Sequence, residues 1–406
     1  SRTASSSRYF LLDVSMTAPA RRRGAESNRA PATAARGALE VLQSGSGFLR
    51  SSHNGFQSSP DDVFVPQNLI RRFRLRTGDI IEGEAGPAPG RGKSPPLLSV
   101  AKVSGIEPDD AARRPDFSSL PAAHPDEKLI LEGPSLPGRP ANDFTTRIVD
   151  LIVPLGKGQR TLIVAPARAG KTMLLQSIIH GVARNYPDAL LLVLLVDERP
   201  EEVTEMQMIG YGEVIASSFD YPAERHVAIA EMTLEMARRQ VEGGRDVVLV
   251  LDSLTRLARA YNTSERGTGR TLSGGIDSGA LEKPKRFFGS ARRVPMKSGG
   301  GSLTIIATAL TETGSRGDEV IFEEFTGTGN AEIVLDREIA EKRIFPAINV
   351  ERSATRREEL LFTDKDMDKV HKLRRALHSL PPSDAAQLLI RQMSDTKTNA
   401  ELLEKI

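Results

Sequence analysis

One stretch narrows the fold more than any other. Thr161–Ala165 is apolar enough for a buried strand, Pro166-Ala167-Arg168-Ala169-Gly170 interrupts it, and Lys171-Thr172 leads into the helical run Met173-Leu174-Leu175-Gln176. A strand that turns through a short loop into a helix leaves backbone N–H groups unpaired at the helix N-terminus, and phosphate oxygens bind there. Lys171 supplies a cation for the β- and γ-phosphates, and the Thr172 hydroxyl can ligate Mg²⁺. The strict phosphate-loop pattern has Gly where Ala165 stands. What matches is the order of strand, loop, Gly-Lys-Thr and helix.

Such a loop needs a sheet behind it, and the surrounding texture predicts one. Strands are expected over Thr161–Ala165, Ala189–Val196, Val214–Ser218, Val247–Leu251 and Leu303–Ala309. Amphipathic helices lie between them, such as 223–242, where Val227, Ala230, Leu234, Ala237 and Val241 recur at helical spacing. Strands that are apolar throughout and joined by helices form a parallel sheet covered on both faces. Ligands of such sheets sit beyond the carboxyl ends of the strands. Asp252 ends Val247–Leu251, about 80 residues after Lys171, where Mg²⁺ and its waters need a carboxylate. Alone it would read as the N-cap of the next helix. Asp197-Glu198 follows Ala189–Val196, and Glu198 is placed to orient and polarise the attacking water; Glu201 and Glu202 read as the acidic start of a helix opened by Pro200. Arg343, Arg352, Arg356 and Arg357 are candidates for a guanidinium that stabilises a transferring phosphoryl group. The residues alone select none of them.

The rest of the chain has a different texture. From Gly37 to Ile106 the segments are short and β-like (Ala38–Leu42, 62–65, Ile80–Gly83 and Leu97–Val100), with turns at Gly45-Ser46-Gly47 and Thr77-Gly78-Asp79. That predicts a small barrel or sandwich over 37–106. Residues 107–142 are Pro-rich without periodicity and read as a linker, with 143–406 as the α/β domain. Residues 1–36 carry seven Arg against two acids and almost no large apolar side chains, which predicts a disordered basic arm. That arm reads either as a nucleic-acid contact or as a leader with Met16 as the start. The chain has no cysteine, which excludes disulfides, thiol catalysis and Cys-ligated metals. The longest apolar run, Ala189–Val196, is eight residues, too short to span a bilayer, and Phe10-Leu11-Leu12 is too short for a secretory signal. A cytoplasmic protein with no membrane partner is expected.

The motifs together resemble the family of bacterial transcription termination factor Rho. The resemblance runs from about Gly37 to Ile406. It is carried by Val164–Gln176, Asp197–Met206, Leu251–Asn262, Lys283–Gly289, Glu323–Asn330, Ala340–Ala347 and Thr396–Asn399. It implies a RecA-like P-loop ATPase core preceded by a small all-β OB-fold, cold-shock-like barrel that binds RNA. The nucleotide, ATP with Mg²⁺, would be lined by Gly156, Lys157, Gly158, Gln159, Arg160 and Thr161 and by Arg168, Ala169, Gly170, Lys171, Thr172 and Met173. Arg199 and Arg343 would reach it and Phe345 would stack on adenine. Glu198 would be the catalytic carboxylate, Asp252 with Thr172 the Mg²⁺ site, and Arg356 the arginine finger entering the next subunit. Two loops would line a central RNA channel, Thr271–Asp277 with Gly274 and Gly275, and Gly314–Gly317 with Arg316 where the family usually has Lys. On the barrel, Ser44–Arg50 is the signature, and Phe48, Arg50, Phe64 and Arg71 would contact pyrimidine bases or backbone. Ser46 and Ser94 depart from family aromatics. The small helical domain that precedes the barrel in many members is expected to be missing.

The expected activity is an RNA-dependent ATP hydrolase and RNA–DNA helicase, a homohexamer that binds single-stranded pyrimidine-rich RNA and acts on the RNA polymerase elongation complex. Two other readings stay open: another hexameric ATPase of the superfamily, rotary or DNA-acting, and an RNA-binding adaptor with an inactive nucleotide site. The first would not need Ser44–Arg50 or the two loops. The second sits badly with intact Lys171, Thr172, Glu198, Asp252 and Arg356.

Overall fold

The computed structural model describes residues 32–264, 273–277 and 279–406. The chain divides into two compact units, residues up to 120 together with 228–245, and residues 121–227 with 246–406.

The first unit is built on β1 (Thr33–Val41), β2 (Gly47–Arg50), β3 (Val63–Val65), β4 (Ile80–Ala85) and β5 (Leu97–Val103), hydrogen-bonded in the order β3-β2-β1-β4-β5. Every pairing is antiparallel. The Phe64 N–H donates to the Pro95 carbonyl at 2.9 Å, which brings β3 against the approach to β5 and curls the sheet toward closure. Alternate residues Leu39, Leu49, Val65, Ile81, Leu97 and Val103 point into one core, capped by Leu69, Ile70 and Phe73 of helix Gln67–Phe73. Gly83 is required where β4 meets β5, because a Cβ there would lie 2.0 Å from the Ser99 carbonyl oxygen. This is the OB-type barrel.

Two boundaries differ from the sequence expectation. Thr33, Ala34, Ala35 and Arg36 pair with Glu82–Ala85, so the arm expected over 1–36 ends earlier; its first 31 residues lie outside the described part. Backbone pairing orders these four residues without large apolar side chains. The expected linker 107–142 is not a bare spacer. Helix Pro108–Ala111, Phe117 and Leu120 belong to the barrel unit, while Leu129 and Leu131 are buried in the second. Isolated apolar anchors in a Pro-rich stretch produce no period to detect.

A buried ion cluster binds the segment 228–245 into the barrel unit. The Glu242 carboxylate is fully buried, 2.7 Å from Arg76, 3.2 Å from Arg239 and 3.3 Å from Arg114, and it accepts the Phe117 N–H at 2.8 Å. Asp79, also fully buried, pairs with Arg114. Met232 and Met236 pack beside them on Ala38 and Ile80. Removing one partner of such a cluster strands the others' charges in a dry site. Glu242→Ala is expected to destabilise the barrel unit by roughly 3–5 kcal/mol, read by chemical denaturation. A loss below about 1 kcal/mol, the size of an exposed pair, would mean the cluster is solvated.

The second unit is an α/β sheet of β6 (Arg160–Pro166), β7 (Leu190–Glu198), β8 (Glu213–Ser218), β9 (Asp246–Asp252), β10 (Arg292–Arg293), β11 (Ser302–Thr311), β12 (Ala331–Val334) and β13 (Ala354–Thr355). The order is β13-β12-β6-β11-β9-β7-β8, with β10 beside β11. The run from β12 to β8 is parallel. All five expected strands are present. β12 and β13 were too short for a pattern to show. The register pairs Ala165 with Leu310 and Leu195 with Asp252, so β6, β11, β9 and β7 end along one edge.

Candidate active site

At that edge β6 breaks into the loop before helix Lys171–Asn185. Gly170 caps the helix at φ 92°, a left-handed value that favours glycine. The first helical N–H groups, from Lys171 onward, have no intrahelical acceptor. Lys171 Nζ lies 2.6 Å from Asp252 Oδ1 and 3.4 Å from Glu198 Oε1. The two carboxylates come from the ends of β9 and β7, so the register itself assembles the cluster. Burial would lower the Lys171 pKa, but Asp252 and Glu198 outweigh it and the net shift is upward. Glu198 moves up as well, first through burial and then through the neighbouring Asp252 charge, with Lys171 and Arg256 opposing. Asp252 Oδ1 also accepts the Thr308 hydroxyl at 2.6 Å.

The loop opens onto a cleft of about 600 Å³ lined by Ala167, Arg168, Arg337, Ala340, Glu341 and Arg343. Phe345 stands beside Gly170, where an added Cβ would lie 3.6 Å from its ring. Arg168 and Arg343 both hold left-handed φ, 63° and 60°. Arg168, Ala169, Gly170, Lys171, Thr172, Met173, Glu198, Asp252, Arg343 and Phe345 therefore share one region. Arg199 is exposed, one residue past Glu198 at the N-cap of helix Pro200–Met208.

The expected stretch Gly156–Thr161 does not join them. It sits at the opposite end of β6, whose seven residues span about 20 Å at roughly 3.3 Å per residue. There Lys157 is held by Asp246 at 2.8 Å and by Glu127, and Gln159 donates to Asn330. Gly158 is pressed against the Arg292–Arg293 backbone, and Arg160 donates to the Thr328 carbonyl at 3.0 Å. Adjacency to β6 in sequence hid a full strand length between the two ends. Arg356 is at this far edge too, exposed beside Arg160 and Glu332, where Thr355 pairs with Ala331.

The two expected channel loops meet. A Cβ at Gly274 would fall 2.4 Å from the Gly317 nitrogen, and Arg316 opens helix Arg316–Thr326 exposed. Thr271 lies outside the described residues. One helix, Leu254–Ser264, ties these loops to the carboxylates through three side chains spaced three apart. Arg256 Nε is 3.3 Å from Glu198, Arg259 pairs with Asp318 next to Arg316 and Gly317, and Asn262 accepts from the Asp277 N–H at 2.8 Å. Arg256, Arg259 and Thr308 were missed by sequence reasoning. The Arg-x-x-Arg-x-x-Asn spacing right after Asp252 was the available signal.

On the barrel, Phe48 and Phe64 pair across β2 and β3, half-buried, with ring centroids 5.6 Å apart. Arg71 is exposed and available to phosphates. Arg50 is not: it is buried, paired with Asp62 and with Glu40 at 2.7 Å, its guanidinium 5.0 Å from the Phe48 ring. It holds the aromatic platform instead of offering a charge. Ser46 bonds Ser44 hydroxyl to hydroxyl at 2.8 Å, and Ser94 is half-buried.

Comparison with known proteins decides the family. Residues 35–109 match the model for the Rho termination factor RNA-binding domain, and residues 145–355 match the nucleotide-binding domain of the ATP synthase alpha/beta family. "Transcription termination factor Rho" of Escherichia coli strain K12 is 52% identical over 368 residues, covering 91% of this chain and 86% of that one. That of Cereibacter sphaeroides is 51% identical, with the same coverage. The chain belongs to the transcription termination factor Rho family. The Gemmatimonas aurantiaca Rho is 57% identical over 88% of this chain, which spans 48% of that relative's length. A solved ATPase of a bacterial type III secretion system superposes at TM-score 0.51 and 27% identity, covering 57% of this chain and 66% of that one. The assembled ATPase EscN with its stalk EscO superposes at TM-score 0.54 and 24% identity over 75% and 67%, a likeness of fold. As a Rho-family member the chain joins an RNA-binding domain to an ATPase nucleotide-binding domain.

Gly274 and Gly275 test the meeting of the loops. Both hold positive φ, but only at Gly274 would a Cβ strike the Gly317 backbone, while at Gly275 it faces open space. Gly274→Ala is expected to speed amide hydrogen exchange at residues 315–318, and Gly275→Ala to leave it unchanged. Equal exchange in the two variants would contradict the contact.

Proposed function

We propose that this chain is an RNA-dependent ATPase motor that binds single-stranded, pyrimidine-rich RNA, translocates along it as a homohexamer and releases transcripts from the RNA polymerase elongation complex in the cytoplasm. The observation that carries this reading is that one helix, Leu254–Ser264, holds both Arg256, 3.3 Å from Glu198, and Arg259, paired with Asp318 beside Arg316. Among the described residues no helix is long and apolar enough to cross a membrane.

The donor set suits Mg²⁺. Thr172 and Asp252 offer hard oxygen ligands beside the phosphate loop, and Lys171 already balances the charge of Asp252. Bound there, Mg²⁺ would neutralise charge on the β- and γ-phosphates. ATP binding moves Lys171 from the carboxylates to phosphate oxygens, an exchange of one anionic partner for another. The helix N-terminus holds the phosphates and Phe345 offers a face to adenine. Glu198, freed of Lys171, accepts a hydrogen bond from the attacking water and turns its lone pair on the γ-phosphorus. Arg356 cannot reach this water in its own chain, since it stands a strand length away. A head-to-tail contact that lays the Arg160–Arg356 edge of one copy over the phosphate loop of the next completes the site, and repeated contacts of that kind close a ring. In such a ring Gly156–Thr161 would line a neighbour's nucleotide, not their own.

RNA enters twice. Phe48 and Phe64 give stacking faces worth about 1–3 kcal/mol per base, with Arg71 on the backbone. Arg316 and the Gly274–Gly275 loop touch phosphates at the second place. A shift of either loop moves Asp318, and through Arg259 the helix that carries Arg256. Glu198 is thereby placed under the control of RNA.

Hydrolysis should require RNA and Mg²⁺. Glu198→Gln should bind nucleotide normally and lose turnover, because an amide cannot take the water's proton; parental turnover would remove Glu198 from the chemistry. The pH dependence has a definite sign. Only the ionised Glu198 polarises water, and burial raises its pKa, so its working form grows as pH rises. kcat/KM, which reports the free protein, should climb between about pH 6 and about pH 8. A flat profile over that range would contradict the assignment.

A further inference from the structure

The residue before Glu198 is held in an unfavourable conformation. Asp197 has φ 57°, in the left-handed region that non-glycine residues seldom occupy. The pairing of β7 with β8 slips between Val196 and Glu198, an irregularity that re-aims the side chains after it. Such a conformation persists only where its surroundings over-determine it. On one side Arg256 donates to the Asp197 carbonyl and lies 3.2 Å from its Oδ2. On the other, His226 Nε2 faces Oδ1 at 3.9 Å.

His226 is itself anchored. It is 5% exposed, and its Nδ1 is 2.7 Å from the hydroxyl of Ser217, a fully buried residue on β8 opposite Val196. Burial, opposed by Asp197, lowers its pKa and keeps the ring neutral near neutral pH. A neutral imidazole has one N–H. Ser217 fixes the Nδ1 edge of the ring, and the Nε2 edge is thereby turned toward Asp197. Its hydrogen bond is to Ser217, and the Asp197 carboxylate faces the ring at a distance longer than a hydrogen bond.

We propose that His226, oriented by Ser217, is a positioning residue for ATP hydrolysis: it braces Asp197 in the left-handed turn that aims the Glu198 carboxylate at the attacking water. The inference rests on Glu198 being the water-polarising group. It differs from a packing role in what it leaves alone. The phosphate loop and Phe345 do not depend on His226, so nucleotide affinity should survive its loss while turnover falls.

The test compares His226→Ala, His226→Gln, Ser217→Ala and Glu198→Gln in the full chain, by RNA-stimulated ATPase kinetics and by titration with a fluorescent ADP analogue. His226→Ala should lower kcat by about tenfold to a hundredfold, the scale of a misplaced catalytic group, with KM and analogue affinity unchanged. Glutamine, whose amide N–H stands near the Nε2 position, should recover most of the turnover. Ser217→Ala, which frees the ring, should fall between them and keeps the test decisive if His226→Ala does not fold. Parental kcat in both His226→Ala and Ser217→Ala would overturn the proposal. So would a joint loss of kcat and analogue affinity with no recovery in glutamine, which is what mere packing would give. Parental turnover in Glu198→Gln would instead overturn the assignment of Glu198, and this inference with it.

Discussion

Everything at the nucleotide edge depends on one ammonium group holding two buried carboxylates apart from each other's charge. Asp252 and Glu198 are each about 2% exposed, and two unpaired carboxylates in so dry a place could not both stay ionised. Lys171, 2.6 Å from one and 3.4 Å from the other, makes the arrangement tolerable. It does so incompletely, since Glu198 still titrates high. That residual basicity is what a water-polarising group needs. Phosphate oxygens can take over the lysine, so the resting ion cluster is also a template for the substrate.

The parallel sheet serves this cluster by register. Lys171, Glu198 and Asp252 are far apart in sequence and meet only because β6, β7 and β9 end on the same edge. The same geometry separates functions: a strand that delivers Lys171 at one end delivers Arg160, and with it Arg356, at the other. No side chain bridges about 20 Å, so under the proposed function a finger at the far edge would serve another copy.

Much of this was legible in the sequence, for identifiable reasons. Gly170-Lys171-Thr172 announces itself because its chemistry is local to one strand–loop–helix turn. Glu198 and Asp252 were legible because each closes an apolar strand in a chain that also carries the phosphate loop; alone, Asp252 would read as a helix N-cap. The parallel sheet could be read from strands apolar throughout, such as Leu190–Val196. What stayed hidden depends on packing. Arg50 looked like a phosphate ligand until Asp62 and Glu40 took its charge. Gly156–Thr161 looked like part of the phosphate loop's own site, because sequence proximity says nothing about which end of a strand a residue occupies. His226 was invisible, since it faces Asp197, whose backbone conformation no pattern of residue types reveals. β12 and β13 were too brief to carry a period.

The central claim is that each site is built from two copies of the chain. The direct measurement is ATPase activity of assemblies mixed from Arg356→Ala and Glu198→Gln chains, each inactive alone. An Arg356→Ala chain keeps its own Glu198, and a Glu198→Gln neighbour still offers its Arg356, so mixed assemblies with RNA should regain activity at a fraction of their interfaces. No recovery in assemblies verified to contain both chains, or full activity in a monomer, would contradict the account.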